Sequence, residues 1–288
     1  MIELLLELEI KISIFIQNLF IETPLYDVIL FLNNGFSFLG ESLVAFLITC
    51  FIYFCVNKEK GKLVCFALLS TSITNSMIKN IFRRKRPYLC CEEIELLREV
   101  DGYSFPSGHS SNSSCLYILL YRLFENKYTK TIALVFPIVV ALSRIFLGAH
   151  FLTDVIAGLL LGYIMMAISL WLYSKNYQGK AMLIFLFVFS LGMFYCDSSD
   201  YYSAYGLYLG LFVSDIFEKK YVNFTISQNK KVNLYRFIGA IILFVVLNLA
   251  IKFLFDFVNF YQMIFRTVRY FILIFIIMGV YPLFFKKY

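Results

Sequence analysis

Charged residues are scarce in this sequence. Asp, Glu, Lys and Arg together make up 16% of the 288 residues, whereas 60% of the residues are hydrophobic. Soluble domains usually contain about 25% charged residues. Several apolar runs approach the roughly 20 residues that a helix needs to cross a bilayer. The scarcity of charge therefore excludes an ordinary soluble domain and predicts an all-α, polytopic transmembrane helical bundle.

The excess of basic residues is too small and too scattered to indicate a nucleic-acid-binding protein. The sequence has 26 Lys and Arg against 19 Asp and Glu, a formal net charge of +7, but no basic surface interleaved with aromatic residues. Membrane proteins carry such an excess in their cytoplasmic loops. We therefore expect membrane lipids, and no nucleic acid, as partners. The sequence leaves the oligomeric state open.

The seven cysteines form neither a disulfide framework nor the spacing of a zinc site. Four of them lie in apolar runs and are interpreted as small buried residues; these are Cys50, Cys55, Cys65 and Cys115. Residues 1–20 contain Glu3, Glu7 and Glu9 and lack a basic start and a small-residue cleavage site. We therefore expect no cleavable signal peptide.

About nine membrane-spanning helices are predicted. Residues 2–20 alternate charged and apolar residues at helical spacing, which predicts an amphipathic helix at the membrane interface. A second short helix is predicted from Thr23-Pro24 to about Asn33-Asn34-Gly35. The predicted spans are residues 41–56, 62–82, 108–124, 131–147, 151–173, 181–196, 203–217, 236–255 and 268–285. The chain thus divides into N-terminal interfacial helices (1–40), a core (41–173) and a C-terminal four-helix transmembrane extension (174–288).

Two pairs of glycines have the spacing that allows close helix packing. Gly158 and Gly162 form one pair, and Gly206 and Gly210 form the other. Small residues four positions apart let the backbones of neighbouring helices approach each other. We expect both pairs to lie in helix–helix contacts.

The distribution of Lys and Arg predicts the orientation. The side of the membrane that holds loop 57–62 receives more basic residues than the opposite side, and is therefore predicted to be cytoplasmic. All of the polar motifs described below fall on the opposite side. We expect a multi-pass protein of the plasma membrane with an extracytoplasmic site.

The sequence has only two histidines, and each lies in a polar cluster. His109 ends the run Pro106-Ser107-Gly108-His109, and His150 follows Ser143-Arg144 by six positions. Histidine is the side chain best suited to proton exchange near neutral pH. Ionisable residues within membrane helices are costly and indicate a functional site. The two histidines are therefore the first candidates for catalysis.

Three cations near these histidines predict a site for a multiply charged anion. Lys79, Arg86 and Arg144 fall at predicted helix ends on the same side of the membrane. Arginine offers planar donor forks that suit phosphate oxygens, and lysine offers a compact charge. Ser107 and Gly108 open a helix and add a hydroxyl and free backbone N–H groups. A phosphoryl group is the ligand that these residues fit best.

His150 and Asp154 are four residues apart and so share one face of a helix. A carboxylate that fixes the tautomer of the ring leaves its other nitrogen free to attack. His109 is then placed to protonate the leaving oxygen, and the pattern predicts phosphoryl transfer. No cluster of Asp, Glu and His ligands is present, so we expect no metal and no cofactor. A bell-shaped pH dependence is expected, because His150 must be neutral and His109 protonated.

The three motifs together resemble the signature of the type 2 phosphatidic acid phosphatase (PAP2) family. They are Lys79-x6-Arg86-Pro87, Pro106-Ser107-Gly108-His109 and Ser143-Arg144-x5-His150-x3-Asp154. The resemblance covers about residues 24–173 and implies a metal-independent phosphatase. It implies His150 as the phosphohistidine nucleophile, Asp154 as its orienting group and His109 as the general acid. The implied phosphate-binding residues are Lys79, Arg86, Ser107, Gly108 and Arg144.

The resemblance leaves several functions open. The leading hypothesis is hydrolysis of a lipid phosphate or diphosphate, with undecaprenyl diphosphate favoured over phosphatidic acid and phosphatidylglycerol phosphate. A soluble phosphate ester, as in the related glucose-6-phosphatase, and phosphotransfer between lipids are alternatives. A non-enzymatic lipid transporter or scramblase would place the function in the last four helices. Arg83, Arg84, Lys85 and the acidic stretch 92–101 are interpreted as a solvated loop.

Overall fold

The computed structural model describes residues 2–21, 23–256 and 262–285, and within these ranges the regular structure is entirely helical. The first helices are α1 (Ile2–Ile21), α2 (Tyr26–Leu39), α3 (Ser42–Phe51), α4 (Lys58–Phe82), α5 (Gly108–Phe124) and α6 (Lys127–Phe146). They are followed by α7 (Leu152–Ser174), α8 (Gln178–Ser190), α9 (Ser199–Phe217), α10 (Lys230–Asp256) and α11 (Gln262–Ile274). The predicted all-α class is confirmed.

Single π-helical turns continue three of these helices. They follow α3, α9 and α11 and comprise Ile52–Val56, Glu218–Val222 and Phe275–Val280. Short 3-10 turns occupy Pro87–Leu89, Leu191–Phe194 and Tyr281–Phe285. The second helix continues through Asn33-Asn34-Gly35 to Leu39, because the two Asn side chains donate to carbonyls one turn back, Ile29 O and Leu30 O. The predicted end of α2 was therefore wrong.

Among the described residues, five helices are long and apolar enough to cross a membrane. They are Lys58–Leu89, Lys127–Phe146, Leu152–Ser174, Lys230–Leu254 and Gln262–Phe285. A sixth span is possible where Tyr26–Leu39 and Ser42–Val56 meet at a bend of 51°. The predicted count of about nine spans is not confirmed, since α8 is short and α5 begins with a polar run of serines.

The chain forms two compact units. Unit 1 consists of Met1–Ala45 and Thr74–Ile168, and unit 2 consists of Phe46–Ile73 and Ser169–Tyr288. The three boundaries fall inside α3, α4 and α7 rather than between helices. The three segments predicted from the sequence stay a prediction.

In unit 1, local sequence signals set the ends of the helices that carry the polar motifs. The side chain of Ser107 caps α5 by accepting from the Ser110 N–H, and Asn126 forms a capping box with Thr129 at the start of α6. After α6 the chain turns at Gly148, whose φ is +70°. A Cβ there would lie 2.1 Å from the Glu95 carbonyl oxygen, so only glycine fits the turn before His150.

Both glycine pairs lie in close helix contacts, as predicted. A Cβ on Gly158 would lie 2.5 Å from Ser107 O, and a Cβ on Gly162 would lie 2.1 Å from Ser111 O. The first pair therefore brings α7 against the start of α5. In unit 2, Gly206 and Gly210 bring α9 against α11 in the same way, with Thr267 O at 2.3 Å and the Ile274 side chain at 2.1 Å.

The structure does not confirm an interfacial position for α1. Its polar residues Glu9, Ser13 and Gln17 are one turn apart and all buried. Gln17 donates to Glu95 O at 2.8 Å and to Phe146 O at 2.9 Å. Most of its exposed side chains are apolar, among them Leu4, Leu5, Leu8, Phe15 and Leu19, although Glu7 and Lys11 are exposed as well. The polar face of α1 thus packs inside unit 1, because its buried groups find hydrogen-bond partners there.

Unit 2 contains a buried cluster of opposite charges. Lys62 Nζ lies 2.9 Å from Asp215 Oδ1, 3.1 Å from Glu218 Oε2 and 3.2 Å from Glu59 Oε1. Lys58 Nζ lies 2.9 Å from Glu218 Oε1. Glu218, at the start of a π-helical turn, is completely buried. The cluster joins the start of α4 to the end of α9.

Candidate active site

The sequence-predicted site residues all belong to unit 1 and lie at the ends of α4 to α7. Lys79 is in the last turn of α4, Ser107 caps α5, Gly108 and His109 begin α5, Arg144 is in the last turn of α6, and Asp154 is in the first turn of α7. Arg86 follows α4, and His150 lies in the turn between α6 and α7. Helix ends thus bring together residues that are up to 75 positions apart in sequence.

His150 is 2% exposed and lies between an arginine and a serine. Its Nε2 is 3.4 Å from Arg86 Nη1, and its Nδ1 is 3.4 Å from Ser104 Oγ. Arg86 can only donate, so Nε2 is the nitrogen that carries the lone pair. Burial, and then the positive charges of Lys79, Arg86 and Arg144, lower the pKa of His150 well below its usual range. The ring is thereby kept neutral.

Asp154 is fully buried in the first turn of α7, whereas His150 lies before the helix begins, so the predicted shared helix face was wrong and Ser104 links the two side chains instead. The distance from His150 Nδ1 to Asp154 Oδ2 is 3.6 Å, which is longer than a hydrogen bond. The Ser104 hydroxyl donates to the same Oδ2. The Phe151 N–H also donates to Oδ2, at 2.8 Å. Ser104 therefore transmits the position of the carboxylate to the ring.

Arg144 is a buried cation with free donors. Its side chain is 1% exposed, and Nη1 donates to Ser37 Oγ at 2.6 Å. Nε and Nη2 have no hydrogen-bond partner among the residues that the structure describes. A buried charged donor without a partner is costly, whereas a bound anion would satisfy it. These two nitrogens are the strongest sign of an anion site in the chain.

Arg86 and Lys79 hold the backbone of the loop that precedes α5. Arg86 donates to the carbonyl oxygens of Asp101 at 2.5 Å, Gly102 at 2.9 Å and Ala149 at 2.9 Å. Lys79 Nζ donates to Tyr103 O at 2.7 Å. Both cations, predicted as phosphate ligands, thus also shape the wall of the site.

The start of α5 is fixed against α7. The Ser107 N–H donates to Asp154 O at 2.9 Å, and the Ser107 hydroxyl oxygen accepts from Ser110 Oγ at 3.0 Å. A Cβ on Gly108 would meet nothing closer than Asn75 Oδ1 at 3.6 Å. Burial, and then the charges of Arg144 and His150, lower the pKa of His109, the next residue, well below its usual range. The N-terminus of α5, a favourable place for an anion, therefore belongs to the same cluster.

Sequence reasoning missed Ser104 and Arg84. Ser104 precedes the Pro106-Ser107-Gly108-His109 motif by one residue, and that proximity was the available signal. Arg84 was predicted to lie in a solvated loop with Arg83 and Lys85. Those two neighbours are exposed, but Arg84 Nη1 lies 2.7 Å from Asp154 Oδ1, so the prediction was wrong for Arg84. The only feature of the sequence that could have indicated a role for Arg84 is its position between the predicted site residues Lys79 and Arg86.

Among the described residues, no group of three or more His, Cys, Asp or Glu side chains is placed to hold a metal ion. The seven cysteines are all free thiols.

The chain is similar in sequence to known phosphatases. Residues 60–178 match the PAP2 superfamily, and residues 202–288 match the family described as PAP2 superfamily phosphatase, transmembrane extension. A lipid A 4'-phosphatase of Porphyromonas gingivalis is 31% identical over 187 residues, which cover 59% of this chain and 76% of that protein. Phosphatidylglycerophosphatase B of Bacillus subtilis is 32% identical over 147 residues, covering 46% of this chain and 69% of that protein. The crystal structure of Aquifex aeolicus LpxE has 29% identity and a TM-score of 0.49, covering 56% of this chain and 93% of that one.

Proposed function

The chain belongs to the PAP2 superfamily, and from that premise we propose that it is a metal-independent phosphatase that cleaves a membrane lipid phosphate through a phosphohistidine at His150. Its relatives include membrane lipid phosphatases. The observation that carries the proposal is the pair of donors on buried Arg144 that have no partner in the described part of the chain, together with the buried His150, whose pKa is lowered by burial and nearby cations. Together they offer a place for a phosphoryl group and a nucleophile to attack it.

In the first step, Nε2 of His150 attacks the phosphorus atom and the bond from phosphorus to the lipid oxygen breaks. Nε2 is the ring nitrogen nearest Arg86. Nδ1 lies near the Ser104 hydroxyl, which in turn is hydrogen-bonded to Asp154. The leaving lipid oxygen takes a proton from His109. Charge on the transferred phosphoryl group is stabilised by the fixed cations, with the free donors of Arg144 in the principal role.

In the second step, water attacks the phosphohistidine and the N–P bond breaks. His109, now neutral, accepts the proton of the attacking water. Inorganic phosphate leaves, and both histidines return to their starting states. Lys79, Arg86, Ser107 and Gly108 hold the phosphoryl oxygens in both steps. No proton or electron is left over, so the cycle needs only the lipid and water.

The substrate is proposed to be a lipid that keeps its tail in the bilayer. The site lies at the ends of membrane helices, where a headgroup can enter while the acyl or polyprenyl chain stays in lipid. Undecaprenyl diphosphate is the substrate that the sequence favours. The names of the relatives support phosphatidylglycerol phosphate, already a candidate, and add lipid A. The charge distribution of the loops supports a site on the extracytoplasmic face of the plasma membrane.

The proposal is tested by measuring phosphate release from the detergent-purified protein in the presence of EDTA. The substrate panel contains undecaprenyl diphosphate, phosphatidylglycerol phosphate, phosphatidic acid, lipid A and glucose 6-phosphate. We expect turnover of at least one lipid and loss of more than about 10³-fold in His150→Ala, because the nucleophile is removed. Acid-labile, base-stable ³²P on the wild-type chain would identify the phosphohistidine.

Lys85→Ala is the matched control, since this side chain is exposed in the segment between two site residues and is expected to keep wild-type turnover. Activity that survives in His150→Ala would overturn the histidine mechanism. Loss of activity with EDTA would overturn metal independence. Turnover of glucose 6-phosphate alone would show a soluble-ester phosphatase instead.

A further inference from the structure

A buried carboxylate of the first helix contacts the start of α7. Glu9 is 2% exposed, so its charge is costly unless it is paired. Its Oε1 accepts from the Thr153 N–H at 2.9 Å and from Thr153 Oγ1 at 2.6 Å. Its Oε2 lies 2.5 Å from Arg84 Nη2. Glu9 is thus held by donors from two segments that are 75 and 144 residues away in sequence.

Arg84 bridges this carboxylate and the one beside His150. One nitrogen, Nη2, pairs with Glu9, and the other, Nη1, lies 2.7 Å from Asp154 Oδ1 and 2.7 Å from Thr153 Oγ1. The guanidinium carbon is 4.4 Å from the centre of the Phe151 ring, which fixes the plane of the fork. A planar, two-nitrogen donor is the group that can hold two carboxylates at once.

The bridge leaves the Asp154 carboxylate no freedom to rotate. Its Oδ1 is held by Arg84, and its Oδ2 is held by the Phe151 N–H and the Ser104 hydroxyl. The Ser104 oxygen lies 3.4 Å from His150 Nδ1. The orientation of the imidazole therefore depends on a chain of contacts that begins at Glu9 in the first helix.

We infer that Glu9 and Arg84 are positioning residues for the reaction proposed above, holding Asp154 and, through Ser104, the attacking tautomer of His150. The inference rests on the proposed function. Neither residue touches the phosphoryl group, so neither is catalytic. Residues that orient metal-binding histidines typically change affinity or activity by about 10–100-fold when they are removed, and we expect an effect of similar size for residues that orient a histidine nucleophile. The effect should fall on the rate of the chemical step rather than on substrate binding.

The test compares steady-state kinetics of Arg84→Gln, Arg84→Lys and Glu9→Gln with the wild type. We expect kcat to fall about 10–100-fold in Arg84→Gln while KM stays near the wild-type value. Arg84→Lys should recover only part of kcat, because one ammonium cannot hold both carboxylates in a plane. Glu9→Gln should lose less, since its amide oxygen can still accept from Thr153.

Glu7→Gln is the matched control for Glu9→Gln. It makes the same change on the same helix, but Glu7 is exposed and pairs with exposed Lys11. We expect wild-type kcat from Glu7→Gln. Wild-type kcat in Arg84→Gln and Glu9→Gln, or a loss that lies wholly in KM, would overturn the inference.

A second readout separates this inference from the proposed function. The chain has only two histidines, so the ring ¹⁵N signals of His150 can be assigned by their loss in His150→Ala. We expect the Nδ1 and Nε2 shifts of His150 to move in Arg84→Gln and Glu9→Gln, as the tautomer balance changes, and not in Glu7→Gln. Unchanged shifts would overturn the inference even if no lipid were hydrolysed. Shifted signals in a protein that hydrolyses nothing would overturn the proposed function alone.

Discussion

Unit 1 and unit 2 each bury a cluster of charges, and the two clusters differ in whether they close on themselves. In unit 2, Lys62 contacts three carboxylates within 3.2 Å, and the Glu218 carboxylate forms ion pairs with two lysines. In unit 1, Arg144 keeps two buried nitrogens without a partner among the described residues. A closed network satisfies its own desolvation cost, whereas an open one needs a ligand to do so. Unpaired donors, rather than buried charge as such, distinguish the candidate site.

Among the changes that test this comparison, the largest effect is expected at Arg144, the open end of the unit 1 cluster. Arg144→Ala should lower kcat/KM for the lipid substrate about 10²–10³-fold, as removal of one charge-stabilising donor does elsewhere. Steady-state phosphate release measures the change. Arg122→Ala, which removes an exposed arginine at the end of α5, serves as the control and should leave kcat/KM near wild type. Equal losses in the two variants would show that Arg144 has no special place in the site.

A substitution in the closed cluster of unit 2 should lower the free energy of unfolding without lowering kcat. Glu218→Gln removes a fully buried charge that pairs with Lys58 and Lys62, and should cost about 3 kcal/mol of unfolding free energy. Unfolding titrations in mixed micelles measure that loss. At a temperature where both proteins are folded, kcat per folded molecule should equal the wild type. A large fall in kcat without a stability change would mean that unit 2 also holds part of the catalytic machinery.

The smallest expected effect is a shift in the pH dependence of kcat/KM, which should differ between variants of the unit 1 cluster and variants of the unit 2 cluster. Burial and the cations of unit 1 lower the pKa of His150 well below its usual range, so falling pH protonates the nucleophile only well below pH 6.5. The acidic limb of kcat/KM should therefore lie below pH 6.5. Loss of the proton on His109 should give the basic limb, which should also lie at lower pH than an unperturbed histidine would give, because burial and neighbouring cations lower the pKa of His109. Arg144→Ala removes a positive charge and should move the acidic limb upward. Glu218→Gln is the control, because the ionisation of the substrate is the same in both variants, and it should leave the acidic limb in place. An equal shift of the acidic limb in Glu218→Gln would contradict the assignment of that limb to His150.

The motif spacing was enough to predict some contacts of the fold but not others. The two glycine pairs lie at helix contacts, as predicted, because their spacing repeats on one helix face. His150 instead precedes α7 and is linked to Asp154 through Ser104. The count of spans was less predictable. Apolar runs such as that of α8 look like spans in a hydropathy reading, but the helix that forms over residues 178–190 is too short to cross a bilayer by itself.

The sequence by itself determined the helical class of the fold and supplied the residues proposed to carry the chemistry, because local spacing and apolar periodicity act over one or a few turns of helix. It could not determine the contact between Glu9 and Arg84, the hydroxyl of Ser104 between His150 and Asp154, or the free donors of Arg144. Those features join segments far apart in the chain, and only the tertiary packing decides which buried charges meet partners. The inward polar face of α1 has the same origin, since a buried carboxylate is stable only where another segment supplies its donors.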